Sequence, residues 1–174
     1  MNDVLIEPLS TKTVDKVCSL AASLFDDEVQ SPEIEIRRSL SKKSYVDTFT
    51  GYTVSNIDYW VAIHSASGTV GFIGLYENNT DSHEAVWIGW FGVHPDFRRK
   101  GIGSQLLDCV IERAKERNKK YLRVYTSTYF AEEQALHMYK KRGIQIKKTE
   151  QYEPEPSLDV HYLELLLTAK TSVQ

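Results

Sequence analysis

Residues 85–93, A-V-W-I-G-W-F-G-V, run without a single charge. An uncharged run of that length, rich in valine, isoleucine and tryptophan, suits a strand buried in the middle of a sheet and covered on both faces. The next residues are H-P-D-F-R-R-K-G-I-G-S, a basic loop with two glycines. Beyond Gly103, the residues Leu106, Leu107, Val110, Ile111 and Ala114 recur at helical spacing with charges between them, which predicts an amphipathic helix. A chain with a buried strand, a basic turn and an amphipathic helix at its centre must assemble a sheet around that strand.

The flanking segments supply the sheet. Residues 4–6 read as a short strand closed by Pro8. Val14, Val17, Cys18, Ala21, Leu24 and Phe25 form a helical stripe. Ser31-Pro32-Glu33 has the form of a helix start, serine capping and proline in the first turn, and that helix carries Ile36 and Leu40. Residues 45–56 have no clean period and read as loop or short helix. Residues 59–64 and 69–77 alternate as strands around a Ser-Ala-Ser-Gly turn. Residues 121–125 read as a strand, 132–142 as a helix stopped at Gly143, and 144–148 and 160–167 as closing strands. The order β-α-α-β-β-β-α-β-α-β-β predicts an α+β fold, a mixed sheet with helices packed on it. Nothing in the pattern suggests a repeat or an internal linker, so residues 1–174 are expected to form one domain.

Composition removes several function classes. A net charge of −3 gives no electrostatic basis for nucleic-acid binding. No window approaches an uninterrupted apolar span of membrane length, and the N-terminal residues lack the form of a signal peptide, so a cytoplasmic location is expected. The two cysteines, Cys18 and Cys109, fall on helical stripes and read as small buried hydrophobes. No closely spaced Cys/His cluster points to a metal.

The chemistry concentrates at residues 89–104. Gly101 and Gly103 permit a turn at positive φ and close approach of backbone to a ligand. The first N–H groups of the helix have no intrahelical acceptor and, with the helix dipole, favour an anion such as a pyrophosphate. Arg98, Arg99 and Lys100 add positive charge, and Ser104 adds a hydroxyl. Neither G-x-x-x-x-G-K-[ST] nor G-x-G-x-x-G is present, so the two commonest nucleotide loops are excluded.

R-R-K-G-I-G fits the pattern [Q/R]-x-x-G-x-[G/A], and this segment resembles the GNAT superfamily of acyl-CoA-dependent N-acetyltransferases. E-E-Q-A-L-H-M-Y-K-K-R-G-I, residues 132–144, is similar to that family's N-x-x-A-x-x-x-Y-x-x-x-G-F helix. Ala135, Tyr139 and Gly143 match; Glu132 replaces the usual asparagine and Ile144 the usual phenylalanine. The element order is also the family's. The resemblance implies a mostly antiparallel sheet with acetyl-CoA as acyl donor. It assigns the pantetheine arm to the backbone of Phe91, Gly92 and Val93, and the pyrophosphate to Arg98, Arg99, Lys100, Gly101, Ile102, Gly103 and Ser104. Ala135 would lie beside the arm, and Tyr139 would give a proton to the departing thiolate.

For the base that deprotonates an ammonium acceptor, Glu84 is the first candidate and Glu77 the second, with His83 and His161 behind them. Trp87, Trp90, Tyr125 and Tyr129 could cage an amine or, for the tryptophans especially, pack in the core. The resemblance leaves open a small-molecule amine, a protein N-terminus or lysine, and a non-catalytic acyl-CoA-binding module. Size and the lack of a targeting arm favour the first, and an intact Tyr139 with an intact loop disfavours the last. Homodimers are common in the resembled family, and the final strand and its tail are the expected pairing surface.

Overall fold

The structure is a computed structural model and describes residues 3–25, 31–47, 50–129, 132–153 and 155–167. Its elements are β1 (Val4–Pro8), α1 (Val14–Leu24), α2 (Pro32–Ser41), β2 (Tyr45–Val46), β3 (Thr53–His64), β4 (Gly68–Asn78), β5 (Ala85–Val93), α3 (Ile102–Glu116), β6 (Tyr121–Ser127), α4 (Glu133–Lys141), β7 (Gln145–Gln151) and β8 (Asp159–Leu166). The strands form one sheet in the order β1-β3-β4-β5-β6-β8-β7, with β2 added beside β3. Every pairing is antiparallel except β5 with β6. The expected α+β architecture is therefore present, and β5 is its middle strand.

Each face of the sheet carries its own apolar cluster. Val14, Val17, Cys18 and Ala21 of α1 and Ile36 of α2 pack with Tyr59, Val61 and Phe72 on one face. On the other, Leu106, Leu107, Val110 and Ile111 of α3 and Tyr139 of α4 pack with Trp60, Ile73, Val86, Ile88, Leu122 and Val124. Tyr59 and Trp60 are neighbours on β3 and point into different clusters, as strand alternation requires. The helix starts follow their sequence signals: Ser31 accepts the Glu33 N–H at 3.3 Å, with Pro32 at the first helical position.

Three expectations are corrected. Within residues 45–56, expected as loop or short helix, Tyr45–Val46 form β2 and Thr53 begins β3. Asn56 takes a positive φ of 47° and the β3–β4 register shifts between Ser55 and Asp58; a bulge there scrambles the alternation that would mark a strand. The second half of β5 is only half-buried at Gly89, Trp90, Phe91 and Val93, because β6 leaves it. The final strand β8 is not an edge: β6 pairs on one side and β7 on the other. The tail from residue 168 lies outside the described residues.

Candidate functional site

Strands β5 and β6 pair over only three positions, Ala85 with Tyr121, Val86 with Leu122 and Trp87 with Arg123. Beyond them β5 pairs with β4 alone and β6 with β8 alone. The cause is local. Between Ile73 and Leu75, β4 advances two residues while β5 advances three, from Phe91 to Ile88. That bulge at Gly89–Trp90 bends β5 away from β6. The strands open toward their C-terminal ends, and the facing backbone edges of Ile88, Phe91 and Val93 on β5 and of Tyr125 and Ser127 on β6 have no described strand between them.

The basic loop and α3 begin at this open end. Pro95, Asp96 and Phe97 make one 3-10 turn, and the His94 ring accepts the Asp96 N–H at 3.2 Å. Arg98 donates from Nε to the Val93 carbonyl at 3.1 Å, tying the loop to the strand end. Arg99 and Gly101 both take positive φ, 61° and 81°. Gly101 is the helix cap, no side chain caps it, and no acidic residue occupies the first turn of α3. The N–H groups of Ile102, Gly103 and Ser104 therefore remain available to an anion. The exposed side chains of Arg98, Arg99 and Lys100 surround them, Lys100 lying over the Phe97 ring at 4.8 Å.

Gly103 is where three elements converge. A Cβ there would lie 3.3 Å from the Met138 sulfur and 3.4 Å from the Phe91 ring, so α3, α4 and β5 close on one point. Ala135 and Met138 are half-buried against the same cluster, and Tyr139 is buried in it. Burial pushes the Tyr139 hydroxyl above its ordinary range, and the Glu132 carboxylate pushes it the same way, so it stays protonated at neutral pH. Glu132, in place of asparagine, accepts from the Thr126 hydroxyl at 2.5 Å and the Ser127 N–H at 2.6 Å, and thereby fastens the start of α4 to the end of β6. Of the residues expected to hold a nucleotide thiol ester, Phe91, Gly92 and Val93 lie on the diverging half of β5, Arg98, Arg99, Lys100, Gly101, Ile102, Gly103 and Ser104 form the following loop and the first turn of α3, and Ala135 lies on α4 with Tyr139. A glycine-capped anion site leading to an unpaired strand edge fits a long molecule with phosphate at one end and amide groups along its length.

The expected bases lie elsewhere. Glu84 sits at the start of β5, where the strands still pair, and accepts from Arg123 at 2.7 Å. Arg123 also holds Asp81 and Glu164. Hydrogen bonding to Arg123 keeps the Glu84 carboxyl below its ordinary range, which makes it a poor proton acceptor. Glu77 is buried between Lys119 at 3.0 Å and Arg117 at 3.7 Å. His83 is exposed, and His161 shares a 2.8 Å hydrogen bond with Thr149 on β7. The aromatic residues divide. Trp90 packs edge-on against Phe25 at 4.9 Å, while Trp87 donates to Asp81 and lies 6.5 Å from the half-exposed Tyr125 ring. Tyr129 is exposed.

Sequence reasoning missed a carboxyl at the bulge itself. Glu35 of α2 is buried, its two oxygens accepting from Tyr59 at 2.5 Å and Tyr45 at 2.9 Å. The signal was a helical stripe of Pro32, Glu35, Ile36 and Ser39 with Ile34 turned outward. Reading it requires the helix phase, which Ile36 and Leu40 alone do not set.

The chain matches the profile of the Acetyltransferase (GNAT) family over residues 23–144. It is 31% identical over 90 residues to the mycothiol acetyltransferase of Propionibacterium freudenreichii, a match covering 52% of this chain and 28% of the relative. It is 27% identical over 93 residues to a Bacillus subtilis protein named Uncharacterized N-acetyltransferase YdgE, covering 53% of this chain and 58% of that one. The match thus spans less than two thirds of these relatives' own length. Among solved structures, a GNAT-family protein of Desulfovibrio desulfuricans superposes with a TM-score of 0.75 at 13% identity, covering 95% of this chain and 99% of that one. The yncA protein of Salmonella typhimurium, solved with its cofactor acetyl-CoA, superposes at 0.71 and 14% identity, covering 99% of both chains. With a family profile matched over residues 23–144, the chain belongs to the GNAT acetyltransferase family.

Proposed function

We propose that the protein transfers an acetyl group from acetyl-CoA to a primary amine, that of a small molecule in the first instance. The observation that carries this reading is the divergence of β5 from β6 after Trp87 and Arg123, followed in the chain by the Gly101-capped start of α3. In this reading the α3 N–H groups and Arg98, Arg99 and Lys100 hold the pyrophosphate. The free edge of Phe91, Gly92 and Val93 pairs with the amide groups of the arm, and an N–H of that edge stabilises the oxyanion as the thioester carbonyl is attacked. Tyr139 gives its proton to the departing sulfur, whose thiol has an ordinary pKa of about 8.5 by analogy with cysteine. A relative named for mycothiol, not for a protein, supports the small-molecule reading. Solved relatives of the Ard1 and NatC kind share only the fold.

The test is acetyl transfer by the purified protein, read as thiol release and as the mass of the acetylated product. The acceptors are spermidine, lysine, kanamycin and a short peptide with a free N-terminus. Turnover of a small amine supports the proposal. Turnover of the peptide alone replaces the acceptor, and no turnover with tight acetyl-CoA binding leaves a binding module.

A further inference from the structure

A buried carboxyl that no part of this reaction has yet used lies against the bulge that opens the site. A Cβ on Gly89 would sit 2.6 Å from the Glu35 carboxyl oxygen and 3.2 Å from the Tyr59 hydroxyl, so both groups rest on the β5 backbone where it leaves β6. The Trp90 N–H donates to the Tyr59 hydroxyl at 3.2 Å, and that hydroxyl donates to Glu35 at 2.5 Å. Glu35 is thereby fastened to the bulge through a residue of β3. Its other oxygen accepts from Tyr45, which is only half-buried. This assembly lies on the α1/α2 face, whereas Tyr139 lies on the α3/α4 face. Between them lies the stretch where β5 and β6 no longer pair.

The neighbours of Glu35 suit a cation. Tyr45 comes from β2 and Tyr59 from β3, Tyr76 faces the group from β4, and Asp47 follows β2. Tyr125, at the open end of β6, is close enough to Tyr45 and Tyr76 to act on both electrostatically. Arg38 stacks over the Tyr45 ring at 5.3 Å. Phenol rings and carboxylates with little opposing charge attract an ammonium group.

Building on the acetyltransferase reading, we infer that Glu35, reached through the Tyr45 hydroxyl, takes the proton of an acceptor that arrives as a primary ammonium ion on the α1/α2 face. The ammonium gives one proton to the Tyr45 oxygen as the Tyr45 proton passes to Glu35. The neutral amine then attacks the thioester carbonyl; the C–N bond forms and the C–S bond breaks. The nitrogen releases its second proton to water as the amide forms, and Tyr139, having given its proton to sulfur, takes one back from water. Glu35 releases its proton to water through Tyr45 before the next turn. Desolvation raises the Glu35 carboxyl above its ordinary range in spite of its two hydrogen bonds, which moves it toward the range where a base works best.

The experiment compares wild type, Glu35→Gln and Tyr45→Phe with whichever panel amine the wild type acetylates fastest, from pH 5.5 to 9.5. Glu35→Gln is expected to lose about 100-fold in kcat/KM at pH 7 and Tyr45→Phe about 10-fold. Both deficits should shrink toward high pH, where the free amine is already present in solution, and the acid limb set by the carboxyl should vanish. Acetyl-CoA affinity, measured by calorimetry, should be unchanged, because neither Glu35 nor Tyr45 belongs to the loop or strand edge proposed to hold it. A Glu35→Gln protein within twofold of wild type at pH 7 with the same acid limb overturns the inference. Should that variant not fold, a Tyr45→Phe profile identical to wild type overturns it equally. A wild type that binds acetyl-CoA but acetylates none of the amines overturns the acetyltransferase reading itself, a result distinct from either.

Discussion

The Tyr59 ring lies flat on Gly74, and replacing that glycine with alanine tests how tightly the bulge is packed. A Cβ at residue 74 would stand 2.4 Å from Cζ of Tyr59 and 2.8 Å from both Cε atoms. Carbon atoms in contact prefer about 3.5–4.0 Å, so the ring must retreat by roughly 1 Å. It has nowhere to go: Tyr59 is 2% exposed, and its hydroxyl is tied to Glu35 and to the Trp90 N–H. Overpacking of this kind costs about 1–3 kcal/mol, and loss of a hydrogen bond to a carboxylate costs about 1.5–3 kcal/mol. Because one movement causes both, we expect about 3–5 kcal/mol in total. For a chain of this size that lowers Tm by roughly 6–20 °C. Urea denaturation followed by tryptophan fluorescence measures the loss. A cycle with Tyr59→Phe then isolates the hydrogen bond, since removing the hydroxyl should cost less in the Gly74→Ala background than in wild type. A Gly74→Ala protein within about 0.5 kcal/mol of wild type would refute the packing of Tyr59 on β4.

Two further outcomes follow from other groups. Tyr139→Phe should bind acetyl-CoA as wild type does yet lose about 100-fold or more in kcat under conditions where chemistry limits the rate; single-turnover kinetics at saturating donor measure this, and an unchanged kcat removes the acid role. Glu35 has a folded-state pKa above its ordinary 4.5, so the native state holds more protons than the unfolded one above that pH. Its contribution to stability is therefore full below pH 4.5 and is lost as pH rises through the folded value. Denaturation midpoints measured across pH 4–8 should move in favour of Glu35→Gln as pH increases, and a pH-independent difference would show that the carboxyl is not shifted.

The elements set by strong local patterns were legible in the sequence. The α3 stripe from Leu106 to Ala114, the Ser31 cap, the stop at Gly143 and the basic loop with Gly101 each state their role within a few residues. The glycine-capped basic loop and the buried Tyr139 could be found because they are local motifs. The opening between β5 and β6 could not be read from β5 alone: its uncharged composition signals full burial, whereas a bulge opposite Gly74 half-exposes its second half. The start of β3 was hidden for the same reason, since Asn56 breaks the alternation with a left-handed residue. The bases were the least legible group. Glu84 and Glu77 carry the composition of candidates, yet Arg123, Arg117 and Lys119, distant in sequence, claim them. Glu35 gains its meaning only from Tyr45, Tyr59 and Gly89, which three different strands bring to it.

The central claim is that the mouth of the β5–β6 opening holds acetyl-CoA, and calorimetric titration tests it most directly. Wild type is titrated beside an Arg98→Ala/Gly101→Glu variant of verified fold. The account predicts one-to-one binding to wild type, and at least a 100-fold loss in the variant, about 2.7 kcal/mol or more, because a glutamate side chain at a φ of 81° puts strain and negative charge where N–H groups face the pyrophosphate. Wild-type protein, shown free of bound CoA, that takes up no acetyl-CoA, or a variant that binds it equally well, would contradict the account.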